Sequence, residues 1–395
     1  MSDRPHQEAG SRSSTSPWAV VAGGGTAGHV LPALAAAHAL VARGHSRDDI
    51  RFVGSSRGLE ARLVAEAGFD ITLLPGRGVA RRLSLANVGA VLGLTWALVR
   101  AVRLMTRWRP AVVLAVGGYA SVPCAMAAAL LRVPLVLHDQ NAVPGLANRL
   151  AGRFARASAV SFEGTPLPRA VVTGNPVRSE VLAVDRSPAG REAARVALDL
   201  PRTGMVVAVF GGSLGARRIN EAVAALVEHW APRVEVTVYH VVGSRDWEAR
   251  DWGGRNPEAR GRQPGHGSGP PRARYRAVQY EQRMPLLLAA ADVAVCRAGG
   301  TSVAELAAVG LPAVLVPLPS APGDHQTANA AALVRRGAAV VVHDDELGPG
   351  RLLAEIEPLL EDPGRMEAMS KAALGLARPD AAERVAALVE HHARR

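Results

Sequence analysis

Twice along this chain an apolar, β-branched run leads into a glycine cluster and then into a long Ala- and Leu-rich stretch. Val20-Val21-Ala22 precedes residues 23–28 and 32–40, and residues 207–210 precede Gly211-Gly212-Ser213-Leu214-Gly215 and 220–227. A strand that enters a helix through glycines opens a doubly wound parallel sheet, and such sheets bind ligands beyond the carboxyl ends of their strands. Two such openings in 395 residues predict an α/β chain of two domains facing across a cleft. Composition agrees. Hydrophobic residues make up 48 % but aromatics only 4 %, so the cores must be built from Ala, Val and Leu, the usual filling of helices packed on parallel strands.

The β-α rhythm places strands at 18–22, 50–53, 70–74, 111–116, 134–137, 158–161 and 170–173 in the first half. It restarts at 205–210 and continues at 235–242, 275–280, 292–296, 312–316 and 338–342. The expected organisation is a disordered extension at 1–17, a first Rossmann-like domain at 18–178, a second at 179–377 and a C-terminal helix at 378–395. Residues 1–17 are polar and lack the apolar core of a signal peptide. Residues 243–274 are rich in Arg, Gly and Pro and read as a mobile surface insertion in the second domain. Residues 83–99 carry no charge but fall short of the ~20 residues a membrane span needs. Cys124 and Cys296 are far apart in sequence with no metal-type spacing, which suggests neither a disulfide framework nor a zinc site and fits a reducing cytoplasm.

Glycines between a strand and a helix let backbone N–H groups approach an anion, and the helix start adds about half a positive charge. Three places offer this: residues 23–29, residues 211–217, and Arg297-Ala298-Gly299-Gly300-Thr301-Ser302. The first also satisfies G-x-G-x-x-G. A dinucleotide site, however, needs an acidic residue at the end of the following strand to hold the ribose, and Phe52-Val53-Gly54-Ser55-Ser56 has none. No loop ends in Gly-Lys-Ser/Thr, which excludes a P-loop.

Seven motifs, in order across residues 18–390, resemble the MurG family of glycosyltransferases. They are Gly25-Thr26-Ala27-Gly28-His29, Gly117-Gly118-Tyr119, His138-Asp139-Gln140-Asn141, Gly174-Asn175-Pro176-Val177-Arg178, Gly211-Gly212-Ser213-Leu214-Gly215-Ala216, Cys296-Arg297-Ala298-Gly299-Gly300-Thr301 with Glu305, and Asp324-His325-Gln326 with Asn329-Ala330. Ala27, Asp139 and Leu214 depart from a glycine, a glutamate and a glutamine familiar there, and 243–274 is longer than usual. The resemblance implies a GT-B fold in which the second domain binds UDP-GlcNAc and the first binds the lipid-linked acceptor. It implies an inverting transfer of GlcNAc to the C4 hydroxyl of undecaprenyl-pyrophosphoryl-MurNAc-pentapeptide, converting lipid I to lipid II in peptidoglycan synthesis, with cell division and cell shape downstream. Implied partners are these substrates, anionic inner-leaflet lipids and other cell-wall synthesis proteins, and the implied location is peripheral, on the cytoplasmic face of the cell membrane.

Such a transfer needs a base for the acceptor hydroxyl and a means of stabilising departing UDP. His29, whose type titrates near neutrality, is the candidate base, although a histidine at a helix start is commonly only a polar neighbour. Asn141 is the second candidate on the acceptor side and otherwise a turn residue before Pro144. Thr26, Ala27, Gly28, Asn141, Arg178, Ser213, Gly300, Thr301, Ser302, Glu305 and Gln326 form the expected donor site. Within it Arg178 neutralises diphosphate, Glu305 accepts the ribose hydroxyls, and Gln326, with Asn329 less strongly indicated, reads the sugar. No Asp-x-Asp pair follows a strand, so no metal and no cofactor is expected.

Net charge is +11, which implies an acidic partner. Between Asp70 and Asp139 there is no acidic residue, while Arg77, Arg81, Arg82, Arg100, Arg103, Arg107, Arg109 and Arg132 fall there among Leu83, Leu85, Trp96 and Trp108. That pattern suits an element lying at an anionic membrane, with 75–83 the favoured contact, or a core helix with a solvated basic edge. A nucleic-acid-binding protein would account for the charge, but no recognition motif or stacking aromatics support it. A UDP-GlcNAc 2-epimerase, a natural-product glycosyltransferase and a non-catalytic UDP-sugar sensor remain as alternatives, separable by whether UDP is released only with a muramyl acceptor.

Overall fold

The computed structural model describes residues 16–56, 58–75, 86–212, 215–230, 235–248, 252 and 274–394, without the side chains of 86–92. The first sheet contains β1 (Ala19–Ala22), β2 (Ile50–Ser55), β3 (Asp70–Leu74), β4 (Val112–Ala115), β5 (Leu135–Asp139), β6 (Ala157–Val160) and β7 (Ala170–Val172), in the order β3-β2-β1-β4-β5-β6-β7. The second contains β8 (Met205–Phe210), β9 (Val236–Val241), β10 (Arg274–Val278), β11 (Val293–Cys296), β12 (Ala313–Leu315) and β13 (Ala339–Val341), in the order β10-β9-β8-β11-β12-β13. Every pairing among the described residues is parallel. The order reverses between β1 and β4 and again between β8 and β11, and the glycine loops sit at these two switch points, where a crevice opens.

The Val- and Ala-rich strands are buried on both faces. Ala19 and Val21 of β1 enter one core and Val20 and Ala22 the other. In β8, Val206, Ala208 and Phe210 alternate with Val207 and Val209 in the same way. Two of the expected strands run longer than the sequence suggests. Parallel pairing with β3 carries β2 on to Ser55, and pairing with β6 carries β5 through His138 and Asp139.

The helix Ala86–Trp108 buries Ala97, Ala101 and Met105 at four-residue spacing, while Arg100, Arg103 and Arg107 face solvent. This part of the acid-free segment is a core helix with a basic edge. Trp96 is 55 % exposed, but Trp108 is half-buried with the Arg51 guanidinium 5.5 Å from its ring centre, so it is not an inserting side chain. Arg77, Arg81, Arg82, Leu83 and the rest of 76–85 lie outside the described residues, as do 1–15 and most of 243–274. Among the described residues no helix is long and apolar enough to cross a membrane.

The C-terminal helix Ala381–His392 returns to the first domain. Val385, Ala386 and Val389 enter its core beside the helix Ala27–Ala42, and Glu390 accepts from Arg43 at 2.8 Å and pairs with His45 at 3.1 Å. The chain therefore crosses between the domains twice. The crossings touch at Gly174 and Arg378.

Candidate active site

The first glycine loop is tied down from beneath. Gly23 N–H donates to the Val53 carbonyl at 3.1 Å and Gly24 N–H to the Gly117 carbonyl at 3.3 Å, which joins the loop to the ends of β2 and β4. The next amide, Gly25 N–H, donates to Glu60 Oε2 at 2.8 Å, and Ser55 N–H donates to Glu60 Oε1 at 2.7 Å. Glu60 starts the short helix Glu60–Glu66 yet is only 1 % exposed, because its side chain folds back into the space left by Gly24 and Gly54. Local sequence does not show this. Glu60 reads as an ordinary acidic residue at a helix start, and its partner Gly25 is 35 positions away.

Above this carboxylate the helix Ala27–Ala42 begins and presents His29. The Nδ1 atom lies 3.1 Å from Thr26 Oγ1, and the opposite edge of the ring lies against Gly117, where a Cβ would come within 3.0 Å of His29 Cδ2. Only glycine at 117 leaves the ring this position. Burial lowers the His29 pKa to about 4, helped by the nearby His325 of the second domain and opposed by Glu60. His29 is thus neutral near pH 7, with a lone pair available.

Asn141 lies in a turn organised by the buried Asp139, which accepts from Asn141 N–H at 3.0 Å, Gly145 N–H at 3.2 Å and Asn148 Nδ2 at 2.9 Å. Burial raises the Asp139 pKa, and these bonds act against it. Behind the turn, His138 Nδ1 lies 3.0 Å from Gln140 Nε2, which also donates to the Val116 carbonyl. Burial pulls His138 down to about 4.

On the second domain, the helix Gly300–Val309 follows Gly299 with no side-chain cap and no acid in its first turn. Its unpaired amides and dipole therefore face the cleft uncompensated. A Cβ on Gly300 would fall 2.1 Å from the Gln140 carbonyl oxygen, so the absent side chain lets the domains close to contact here. Glu305, one turn on, accepts from Arg178 Nη2 at 3.1 Å. Burial raises the Glu305 carboxyl, with Arg178 pulling the other way.

Three interactions stitch the cleft. Thr301 Oγ1 donates to the Gly28 carbonyl at 3.1 Å. Asn329 Nδ2 donates to Asn141 Oδ1 at 3.0 Å and to the Ala298 carbonyl at 3.0 Å, while Asn329 Oδ1 accepts from Ala142 N–H at 2.8 Å. Arg178, at the end of the linker, pairs with Glu305 as above. Thus Gly28, Asn141, Arg178, Gly300, Thr301 and Glu305 are brought together, with Thr26, Ala27 and Ser302 at the two helix starts that meet there. Gln326 Oε1 accepts from Leu318 N–H at 3.0 Å. Ser213 lies outside the described residues. Asn329, read from sequence as a sugar contact or a polar residue feeding a helix, is wholly buried and acts as a clasp between the domains.

The second loop is backed by its own polar network. His240 bridges Tyr275 Oη at 2.8 Å and Asn220 Oδ1 at 2.9 Å, and Asn220 Nδ2 donates to Asp246 Oδ2 at 3.0 Å. Burial drives His240 down to about 3. Among the described residues no group of His, Cys, Asp and Glu is disposed to hold a metal ion.

Comparison with known proteins places this geometry. Residues 19–160 match the glycosyltransferase family 28 N-terminal domain and residues 206–385 the family 28 C-terminal domain. Two relatives named UDP-N-acetylglucosamine–N-acetylmuramyl-(pentapeptide) pyrophosphoryl-undecaprenol N-acetylglucosamine transferase are each 41 % identical. The Nocardioides sp. protein aligns over 94 % of this chain and 96 % of its own length, and the Acidothermus cellulolyticus protein over 95 % and 97 %. The crystal structure of Acinetobacter baumannii MurG superposes with a TM-score of 0.69 at 27 % identity, over 94 % of this chain and 99 % of that one. A UDP-N-acetylglucosamine 2-epimerase from Neisseria meningitidis, 13 % identical over 94 % of this chain and 100 % of its own, shares the fold at a TM-score of 0.61. The architecture is GT-B, and the chain belongs to glycosyltransferase family 28.

Proposed function

We propose that this chain transfers N-acetylglucosamine from UDP-N-acetylglucosamine to the C4 hydroxyl of undecaprenyl-pyrophosphoryl-MurNAc-pentapeptide, forming a β-1,4 bond with inversion. The observation that carries this reading is the meeting, across one cleft, of a neutral histidine on the first domain with an uncapped, glycine-fronted helix start on the second. The full-length relatives that bear the name of this transferase support it.

In the proposed step the acceptor oxygen attacks the anomeric carbon while the carbon–oxygen bond to the diphosphate breaks, its electron pair leaving with UDP. His29 takes the hydroxyl proton. The helix start at Gly300-Thr301 and the Arg178 guanidinium neutralise the departing diphosphate, and Glu305 accepts the ribose hydroxyls. Thr301, Arg178 and Glu305 are already bonded across the cleft, so donor binding exchanges these contacts for contacts with substrate.

The lipid tail of such an acceptor requires the enzyme to work at a membrane surface. Leu130, Leu146, Leu150 and Phe154 are each more than half exposed, and Arg149 and Arg153 lie among them, the composition of a surface that rests on an anionic inner leaflet. This patch, on and just after the two helices flanking β5, adds to the contact at 75–83 that the sequence favours.

The test is to incubate purified protein with labelled UDP-N-acetylglucosamine and lipid-linked MurNAc-pentapeptide, with and without chelator. Labelled disaccharide-lipid should form in both cases, and UDP should appear only with the muramyl acceptor. UDP release or sugar isomerisation without that acceptor would instead indicate epimerase chemistry on the same fold.

A further inference from the structure

We propose that a cavity at the junction between the domains is a second ligand site, suited to a small organic anion that joins an apolar body to an amide and a carboxylate. It does not depend on the chemistry proposed for the cleft.

The cavity holds about 330 Å³. Phe162 and Val172 of the first domain line it, as do Asn175 and Arg378 from the two chain crossings. The second domain contributes the helix Gly300–Val309 and the end of the helix His325–Val334. On the first of these helices Gly300, Val303, Ala304 and Ala307 share one face at helical spacing, whereas Thr301 and Glu305 lie around the helix from it. Of the expected donor residues that the structure describes, Gly300 alone borders the cavity. It is therefore separate from the site between His29 and Glu305.

Three features of the wall specify the ligand. Apolar side chains, with the small Ala304 and Ala307 among them, leave room for a hydrocarbon body. Asn175 is 5 % exposed, and neither its Nδ2 nor its Oδ1 has a hydrogen-bond partner. A buried carboxamide left unpaired is costly, and an amide in a ligand offers the one acceptor and one donor that satisfy both atoms. At the rim the exposed Arg335, Arg336 and Arg378 outnumber the one carboxylate, Glu163, so an anion is favoured, and guanidinium groups bind a carboxylate by paired hydrogen bonds. An N-acylated apolar amino acid combines the three features in one small molecule.

Position gives such a ligand an effect on catalysis. Both domains and both crossings contribute to the wall, so an occupant fits one relative placement of the domains better than others and shifts the protein toward it. Excess donor does not relieve that effect, because the donor binds elsewhere.

The test uses the full chain and N-acetyl-L-phenylalaninate as the probe. Calorimetry should show saturable binding in the micromolar to millimolar range expected of so small a ligand. N-acetyl-L-phenylalaninamide lacks the charge and hydrocinnamate lacks the amide, and each should bind about tenfold more weakly. Saturating UDP should not displace the probe, and the probe should lower turnover in a way that excess UDP-N-acetylglucosamine does not restore. Exchanging both Arg335→Glu and Arg336→Glu, on the exposed rim, should weaken the probe at least tenfold while turnover without it stays at the wild-type level. Ala304→Met, which fills the cavity, should do the same, and in Asn175→Ala the probe should bind no better than hydrocinnamate. The proposal is overturned if folded wild type shows no saturable binding, if the acid and its amide bind equally, if the double arginine variant binds as wild type does, or if UDP displaces the probe.

Discussion

The two glycine-fronted helix starts that meet in the cleft look alike in sequence and differ in what holds their amides. The one at Thr26 sits over a buried carboxylate that takes up the Gly25 amide, whereas the one at Gly300 has no acid in its first turn and no side-chain cap. The contrast shows that a glycine loop does not by itself declare an anion site. What matters is whether something else already holds its amides. One start has a loop amide taken up by the protein's own carboxylate, and the other is left open to an anion.

The strongest challenge to that contrast is His29→Ala. Turnover should fall by about 10²–10⁴ while calorimetric donor affinity stays close to wild type. A variant that loses donor binding as well would show that the His29 side chain itself serves the donor and not the acceptor hydroxyl. Gly300→Ala tests the opposite start. Its Cβ would press on the Gln140 carbonyl at 2.1 Å, so closure should be held open and kcat should fall by about 10², the cost of misplacing reacting groups by roughly an ångström. Unchanged kcat would mean the contact is not part of the working conformation.

Glu305→Ala should weaken UDP-N-acetylglucosamine binding by roughly 1–3 kcal/mol in calorimetry, the scale of losing hydrogen bonds to a charged group. An unaltered affinity would leave the helix amides as the main donor contact. Acid sharpens the comparison between domains, since each backs its loop with a fully buried neutral histidine, His138 in the first and His240 in the second. Their pKa values are lowered to about 4 and about 3 on folding, so below 6.5 the unfolded chain binds protons that the folded chain refuses. Stability should decline as pH falls from about 6.5, by about 2 kcal/mol for each histidine at pH 5. Thermal melts of wild type and His240→Gln at pH 7 and pH 5 would read this, and the variant should lose less.

Much of this was legible in the chain because it is local. A Val-rich run followed by glycine and then by an Ala-rich stretch carries its own strand, turn and helix signals, so the strands and the loops at 23–29 and 297–302 could be placed from neighbouring residues. What escaped depends on distant partners. Glu60 is meaningful only because Gly25 lies above it, and the clasp at Asn329 only because Asn141 and Ala142 arrive from 187 or more residues away. Nothing in the local sequence marks Leu146, Leu150 and Phe154 as exposed, and only the packing of this region leaves them uncovered.

The return of the C-terminal helix to the first domain has a mechanical meaning. A pair of lobes on a single strand of chain can swivel about any axis, but here the outgoing strand near Gly174 and the returning strand at Arg378 lie side by side. Two adjacent pins leave a door one direction of swing. The opening angle is then set at the pins, and each part of the cleft opens in proportion to its distance from them. A slight rotation at the hinge thus becomes a larger change in the gap between the lobes wherever they lie far from it.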